Sequence, residues 1–409
     1  MDERKYYLNA MGICCNLGRS KQEIAQILFS PSVGIDHLKS FLRQDTTMLK
    51  DGEACYLGRI EGDLPQMPDD FIRYNSRNNR MMLLALFQIQ QDIDNAIEQY
   101  GEDRIGVILG SSTSGIEDGE NALFAFRDQG TFPEDYNFGV QEIADGSEFL
   151  ASYLGLGNIA VTISTACSSS AKVFAYAQEM MDAGICDAVI VGGMDSLCHL
   201  TCEGFHSLGA LSANRCNPFS KNRNGISIGE GGALFLMTSN PAPVQMVSVG
   251  ESSDGYSMTA PEPQGLGAEK AMRHALQKAT LSADQIAYVN LHGTSTPHND
   301  SMESQAVSRV FGDEIPCSSS KSIVGHTLGA AGATEIALCW LMMSRDYNPH
   351  RYVLPHLWDG ERGDDISLNN FAKVGDRMGD TAPFYIISNF CAFGGSNASV
   401  ILKYGTDND

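Results

Sequence analysis

This chain of 409 residues contains no run of about 18 or more consecutive apolar residues. A helix needs about 20 such residues to cross the hydrocarbon core of a bilayer, so we expect no transmembrane helix. Residues 1–12 also lack the apolar stretch and the cleavage site of a signal peptide. We therefore expect a cytoplasmic protein.

Basic residues are scarce in the sequence. It has 28 lysines and arginines against 50 aspartates and glutamates, which gives a formal net charge of −22. Nucleic acids and anionic membranes repel such a chain, so neither is expected as a partner. An acidic protein partner would need a local basic patch.

Paired cysteine spacing is absent as well. The eleven cysteines are odd in number and scattered along the chain. This distribution is typical of thiols in a reducing compartment and not of a disulfide framework. No cysteine pair is followed by a second ligand pair at zinc-like spacing, so we predict no metal site.

Strand-like apolar runs alternate with helix-like runs along the whole chain. A polar seam that contains prolines, at 238–243, divides this pattern into two halves, 1–240 and 241–409. The alternation predicts an α/β fold with largely buried sheets.

Each half carries a reactive residue at a predicted helix start. In the first half, a strand-like run at 159–163 leads into a helix-like run at 168–181. In the second, a loop at 318–321 leads to Gly325-His326 and to a helix of small residues at 327–343. We therefore expect a functional site at the junction of the halves.

Cys167 lies at the strand-to-helix turn of the first half, within Ser-Thr-Ala-Cys-Ser-Ser-Ser. A thiol at a helix N-terminus is close to the positive end of the helix dipole, which favours the thiolate. The free backbone N–H groups there can also hold an oxyanion. A buried structural cysteine would explain this residue equally well if it stood alone.

Two histidines have comparable settings. His292 follows an apolar run at 286–291, in His-Gly-Thr-Ser-Thr-Pro, and His326 precedes the helix of small residues. Taken alone, the His292 motif is also compatible with a histidine in a surface loop, and the His326 motif with a helix cap.

Together, these elements resemble the β-ketoacyl-acyl-carrier-protein synthases of the thiolase-like superfamily, closest to the elongating types. The resemblance covers nearly the whole chain and includes the segments 204–212, 229–231 and 393–397. It implies a thiolase-like fold with five α-β-α-β-α layers, built from two pseudo-symmetric halves. It also implies an acyltransferase, usually dimeric.

The resemblance further implies a role for each motif. Cys167 would attack the thioester of an acyl carrier protein and hold the acyl group, and the backbone N–H groups of Cys167 and Phe393 would form the oxyanion hole. His292 and His326 would donate hydrogen bonds to the oxygen of a malonyl thioester while it loses carbon dioxide.

Lys321 and Glu303 would form a charge pair that orients these two histidines. The candidates for substrate binding are Thr294, Thr296, Thr113, Gly394 and Gly395. The candidates for a patch that meets an acidic carrier protein are Arg73, Arg77, Arg80, Arg127 and Arg215. No metal or tightly bound cofactor is implied, because the substrates are held on the phosphopantetheine arm of the carrier.

Three segments depart from the usual pattern of this family. In the hairpin before Gly394, Cys391 and Ala392 stand where phenylalanine and glycine are usual, and a thiolase-like acid/base role for Cys391 is an alternative. Thr113 replaces a bulky aliphatic residue, which suggests a longer or more polar acyl channel. Residues 75–80 look more like synthases of aryl-polyene or pigment pathways.

Two other readings stay open at this point. Gly225-Ile-Ser-Ile-Gly229 matches the serine-hydrolase elbow, but a strand-like run follows it where a helix is required. Some members of the superfamily are non-catalytic chain-length partners, which typically lack the nucleophile that this chain keeps. A homodimer and a heterodimer with a chain-length-factor-like subunit are both compatible with the sequence, and the starter, chain length and pathway stay undefined.

Overall fold

The computed structural model describes residues 4–379 and 383–405. Its strands are β1 (Tyr6–Cys15), β2 (Arg43–Asp45), β3 (Cys55–Gly58), β4 (Ile105–Gly110), β5 (Ala160–Ile163), β6 (Ala188–Asp195), β7 (Ile228–Gly229), β8 (Gly231–Thr238), β9 (Val244–Ser253), β10 (Ile286–Asn290), β11 (Cys317–Ser318), β12 (Phe384–Cys391) and β13 (Ser396–Tyr404). Its α-helices are α1 (Lys21–Phe29), α2 (Ile35–Lys39), α3 (Arg77–Leu86), α4 (Gln90–Tyr100), α5 (Ile116–Gln129), α6 (Asp145–Leu154), α7 (Ser169–Asp182), α8 (His199–Ser207), α9 (Leu266–Ala279), α10 (Pro297–Phe311), α11 (Lys321–Val324) and α12 (Ala331–Met343).

The main sheet repeats one topology twice. Its order is β11-β10-β12-β13-β9-β1-β8-β6-β4-β5, and β2, β3 and β7 form a small separate sheet. Strand β4 is parallel to β5 and β6, just as β10 is parallel to β11 and β12. The other pairs within each half are antiparallel. Counted within its own half, each set of five strands has the order 3-2-4-5-1, which confirms two pseudo-symmetric halves.

The two halves meet where β1 pairs with β9, through Tyr6 opposite Met246 and Tyr7 opposite Gln245. The strands therefore form one continuous sheet across the junction. The division of the chain at residue 240 stays a prediction.

The apolar cores define five layers. Helices α3, α4 and α6 pack on the outer face of the first half, and α9 and α10 on that of the second. Helices α7 and α12 lie between the two five-stranded halves of the main sheet, with side chains such as Phe174 and Ile336 fully buried. This arrangement agrees with the predicted α-β-α-β-α order.

The two central helices start at the edge of the sheet where the functional motifs end. Helix α7 covers the predicted run with a shift of one residue, while α12 starts four residues later than predicted. The reason is a 3-10 turn at Leu328–Ala330, in which Leu328 has a φ of 51°. No helix in the described part of the chain is both long and apolar enough to span a bilayer.

Candidate active site

Cys167 lies in the turn between β5 and α7, at the N-terminal end of this largely buried helix. Ala166 before it has a φ of 52°, a conformation that is costly for a residue with a side chain. The turn is held by the Thr165 backbone N–H, which donates to Ser169 Oγ at 2.8 Å. The cysteine itself is 6% exposed, at the inner end of a cavity. The local strain therefore presents the thiol to that cavity.

His326 faces this thiol directly. Its Nε2 lies 3.0 Å from Cys167 Sγ. The His326 backbone is anchored on both sides, because its N–H donates to the Ser227 carbonyl at 2.7 Å and its carbonyl accepts from the Gly229 N–H at 3.0 Å. The backbone segments at Gly325 and Gly229 lie very close together. A Cβ at Gly325, whose φ is 78°, would lie 2.7 Å from the Gly229 nitrogen.

His292 completes a triangle of reactive groups. It follows β10, and its ring centroid lies 5.3 Å from that of His326, at an interplanar angle of 85°. Glu303 holds the His292 backbone, since its carboxylate accepts the N–H groups of His292 and Gly293 at 2.7 and 2.8 Å. Both histidines are 1% exposed.

The predicted charge pair between Lys321 and Glu303 is wrong. Lys321 Nζ instead bonds Glu335 Oε1 at 2.5 Å, and both side chains are almost fully buried. Glu303 is occupied by the two backbone N–H groups, whereas Glu335 projects from α12 into the site. Lys321 Nζ also lies 3.4 Å from His292 Nδ1, so the lysine does contact a histidine, as expected.

Burial sets the protonation of the triangle. It raises the pKa of the Cys167 thiol to about 11, although Lys321 and the Phe393 backbone N–H oppose that rise. Burial, together with the Lys321 charge, lowers the pKa of both His292 and His326 well below the usual value. The resting site at neutral pH thus holds a thiol between two neutral imidazoles. Desolvation outweighs the helix dipole that was expected to favour the thiolate.

The glycine hairpin brings a second backbone N–H to the thiol. The Phe393 N–H is in hydrogen-bonding contact with Cys167, and the Phe393 ring packs 5.6 Å from that of Phe205. Gly394 and Gly395 have φ angles of 79° and 74°, which let the hairpin turn toward the thiol. Their backbones bond the neighbouring loop, through Gly394 N–H to the Met258 carbonyl at 2.8 Å and Asp254 N–H to the Gly395 carbonyl at 2.8 Å.

A cavity of about 390 Å³ connects these groups with the surface. Thr294 and Thr296 line it, with their hydroxyl oxygens 3.0 Å apart. Its lining includes Cys167, His292, His326, Thr294, Thr296, Phe205, Leu208, Ile226, Pro261, Cys391 and Phe393. The walls are mainly apolar with a few convergent polar groups, as in most small-molecule sites.

Cys391 lines the same cavity and is 9% exposed. Burial raises the pKa of its thiol well above the usual value, and the nearby carboxylate of Glu303 raises it further. A thiolase-like acid/base role requires a thiol that ionises readily, which this setting opposes.

The structure does not bring Thr113 to the cavity. Its N–H and hydroxyl both bond Asp195 Oδ1 at 3.0 Å, its oxygen accepts the Ser196 N–H at 3.1 Å, and the residue is fully buried. The hydroxyl serves an internal network within this chain and does not line the channel. The effect of Thr113 on chain length stays a prediction.

Three of the five predicted carrier-binding arginines are engaged inside the molecule. Arg77 bonds the buried Glu230, Arg80 donates to the carbonyls of Leu64 and Pro65, and Arg215 donates to the Leu42 carbonyl. Arg73 and Arg127 are exposed. The predicted patch is therefore reduced to these two side chains, since the guanidinium groups of the other three make hydrogen bonds within the molecule.

The reactive triangle also has the geometry of a metal site. One ligand atom each from Cys167, His292 and His326 lies within 4.8 Å of the others. A metal bound there would occupy the nucleophile. Elsewhere, Ser227 of the elbow-like motif is fully buried and accepts the Cys216 N–H at 3.0 Å, so it cannot act as a hydrolase nucleophile.

Two charged residues of this region, Glu335 and Asp195, were not predicted from the sequence. Glu335 is the only charged residue in α12, and a single carboxylate in an otherwise uncharged helix could have marked it as functional. Asp195 ends β6 without any motif to mark it.

Family models match most of the chain. The N-terminal domain of β-ketoacyl synthases matches residues 9–242, and the C-terminal domain matches residues 244–354. The 3-oxoacyl-(acyl-carrier-protein) synthase 1 of Haemophilus influenzae is 28% identical, over 98% of this chain and 99% of that protein. A synthase 2 of Staphylococcus aureus is 30% identical, over 81% of this chain and 82% of that protein.

Solved structures of ketosynthases also match this chain. A chain of the complex between the ketosynthase ApeO and its chain length factor ApeC, from Xenorhabdus doucetiae, is 40% identical with a TM-score of 0.89, over 98% of both chains. A β-ketoacyl synthase from Burkholderia phymatum is 27% identical with a TM-score of 0.81, over 99% of this chain and all of that one. These findings confirm the predicted resemblance, thiolase-like fold and elongating ketosynthase activity. The chain belongs to the β-ketoacyl synthase family of acyltransferases.

Proposed function

We propose that this chain catalyses decarboxylative Claisen condensation, in which a malonyl unit on an acyl carrier protein extends an acyl group held on Cys167. The observation that carries the proposal is the 3.0 Å contact between Cys167 Sγ and His326 Nε2, with His292 in the same cavity. The retained nucleophile supports an active subunit and not a chain-length partner.

The first half-reaction is acyl transfer. Cys167 attacks the carbonyl carbon of the acyl thioester, and the neutral His326 Nε2 is the base within reach of the thiol proton. The tetrahedral oxyanion is held by the N–H groups of Cys167 and Phe393. Its collapse breaks the bond to the carrier sulfur, which leaves as a thiolate and is protonated by solvent, so the proton taken from Cys167 stays on His326 Nε2.

The second half-reaction is decarboxylation. The malonyl thioester enters through the lining formed by Thr294 and Thr296, and the Nε2–H groups of His292 and His326 donate to its carbonyl oxygen. Loss of carbon dioxide leaves an enolate, whose charge these donors stabilise. The enolate carbon attacks the acyl-cysteine carbonyl and forms the new carbon–carbon bond. Collapse of the resulting tetrahedral oxyanion breaks the bond to Cys167 Sγ, which leaves as a thiolate and takes back the proton from His326 Nε2.

Lys321 supports the tautomer that this step requires. Its Nζ approaches His292 Nδ1 at 3.4 Å and carries only donors, so the Nδ1 atom accepts and the ring proton stays on Nε2. Glu303 fixes the position of the same histidine through its backbone. No metal or bound cofactor takes part in this chemistry.

We propose acyl carrier protein as the substrate carrier, since the relatives are named as acyl-carrier-protein synthases. A second subunit of the same family, identical or chain-length-factor-like, is the proposed partner, as in the ApeO–ApeC complex. The eleven free cysteines support a reducing compartment, the cytoplasm. The pathway and the starter group stay open, with aryl-polyene or pigment pathways favoured by residues 75–80.

Intact mass spectrometry tests the proposal. The protein is incubated with an acyl carrier protein that bears a medium-length acyl chain, and malonyl carrier is then added. We expect an acyl adduct on the wild type that malonyl carrier discharges as a 3-oxoacyl product. The adduct should be absent from Cys167→Ala and retained by the matched control Cys391→Ala.

Discharge that requires Cys391, or that proceeds with acetyl carrier in place of malonyl carrier, would favour the thiolase-like alternative. If the wild type forms no adduct, the assay is repeated with a co-expressed partner subunit. Continued failure with a folded complex would refute Cys167 as the nucleophile.

A further inference from the structure

Asp195 is a buried carboxylate with an unusual set of partners. It ends β6, is 1% exposed, and no lysine or arginine of the described residues lies within 4.0 Å of it. Its oxygens accept hydrogen bonds only from neutral groups. These are Ser111 Oγ at 2.6 Å, Ser112 N–H at 2.9 Å, Thr113 N–H and Oγ1 at 3.0 Å, and Ala330 N–H at 3.0 Å. Burying a carboxylate without a counter-charge is costly unless hydrogen bonds satisfy its oxygens. Loss of any of these bonds is therefore unfavourable, and together they fix the loops that donate them.

These bonds join the two halves of the molecule at the reactive triangle. The loop at 111–113 follows β4, whose end pairs in parallel with the end of β6, and belongs to the nucleophile half. Within it, Ser112 Oγ donates to the carbonyl of Ala166, the residue before Cys167, at 3.5 Å. Ala330 belongs to the other half and lies four residues after His326.

The segment after His326 has a strained backbone that its surroundings must stabilise. Leu328 has a φ of 51°, and a non-glycine residue keeps this conformation only when its surroundings impose it. The contact is also tight, because a Cβ at Gly329 would lie 2.6 Å from the Ser112 nitrogen and 2.8 Å from Asp195 Oδ2. The carboxylate and the glycine together fix the turn at Leu328–Ala330 against the loop at 111–113.

We propose that Asp195 is a positioning residue that holds His326 in register with Cys167 across the junction of the halves. An asparagine at this position can offer one oxygen to the loop at 111–113, but its amide group then opposes the Ala330 N–H. The link to the His326 segment is lost while the shape of the side chain is kept. This inference rests on the proposed function, in which His326 supports decarboxylation.

A double-mutant cycle tests the proposal in whichever preparation is active for the wild type. The rate of malonyl-carrier decarboxylation is measured for Asp195→Asn with His326 present and with His326→Ala. We expect a fall of about 100-fold in the first background, the size of effect that a misplaced catalytic group produces. In the second background we expect a change of less than about threefold, because the residue acts through His326. Asp145→Asn, another buried aspartate, bonded by Asn79 at 2.6 Å, is the matched control and should leave the rate unchanged.

Gly329→Ala is the second variant, since it disturbs the same contact without removing the charge. It should reproduce the loss of Asp195→Asn. Both variants should speed up amide hydrogen exchange of residues 326–331 relative to Asp145→Asn, a readout that does not depend on activity. Decarboxylation by Asp195→Asn at the wild-type rate, an equal loss in both backgrounds, or unchanged exchange would overturn the proposal. A wild type that never decarboxylates malonyl carrier would instead refute the proposed function, and the exchange data alone would then decide the role of Asp195.

Discussion

The Lys321–Glu335 pair shows how one buried residue governs another's chemistry. Its two charges are about 1% and 2% exposed, so neither can be left without the other. Asn290 donates to the second oxygen of Glu335 at 3.2 Å and completes the arrangement. The carboxylate therefore keeps the ammonium group beside His292, where it selects the tautomer.

Glu335→Gln removes the counter-charge and leaves the volume nearly unchanged. Breaking a buried pair costs about 3–5 kcal/mol, so we expect a loss of about 3 kcal/mol in the free energy of unfolding, measured by urea denaturation. Decarboxylation should fall as well, because Lys321 no longer orients His292. The matched control is Glu361→Gln, which breaks the exposed pair with Lys221 and should leave both quantities unchanged. Equal stability of the Glu335 variant and the wild type would show that the pair is dispensable.

At the scale of elements, helices α7 and α12 carry the two halves of the site. A Cβ at Gly332 would lie 2.4 Å from the Ala171 nitrogen, so the helices touch backbone to backbone at this point. Ser170 Oγ accepts the Ala333 N–H at 2.9 Å across the same contact. This close approach sets the distance between Cys167, two residues before α7, and His326, five residues before α12.

Gly332→Ala forces α7 and α12 apart. We expect a loss of about 1–3 kcal/mol in unfolding free energy from overpacking, together with a marked fall in acylation of Cys167, followed by intact mass. Gly204→Ala in α8 is the control, because a Cβ there meets no atom within 4 Å. That variant should be neutral or slightly stabilising. Normal acylation by Gly332→Ala would mean that the Cys167–His326 distance does not depend on the helix contact.

At the scale of the whole molecule, one face exposes six large apolar side chains. We call it the α5 face, formed by Leu123, Phe124, Phe126, Phe132, Phe138 and Leu200, all between 38% and 67% exposed. Phe126 and Phe132 stack at 4.6 Å, and Phe124 contacts His199 next to Leu200. Large apolar side chains exposed on one face in this way mark a protein interface. We assign it to the proposed partner subunit.

Leu123→Glu combined with Phe138→Asp should abolish assembly with that subunit. Light scattering of the purified chain, alone and co-expressed with a candidate partner, measures the result. We expect the unfolding transition to remain and condensation to fall with the lost assembly. Ile35→Glu, an exposed isoleucine on α2, is the control and should assemble normally. A monomeric wild type with full activity would contradict the assignment.

Local patterns in the sequence were enough to predict the α/β class, the two halves and the positions of Cys167, His292 and His326. Each of these depends on a short stretch of chain, in which a strand end, a turn and a helix start determine where one side chain lies. The motif spacing therefore carried the information, and the family resemblance added the roles.

The partners of those residues depended on contacts between distant parts of the chain. Asp195 meets Ala330 across 135 positions, and a buried carboxylate has no local pattern that would reveal such a contact. Arg77 likewise pairs with Glu230 across 153 positions, which removed it from the predicted carrier patch. Burial, not position near a helix start, determined that the Cys167 thiol is neutral at rest, because desolvation is a property of the packed molecule.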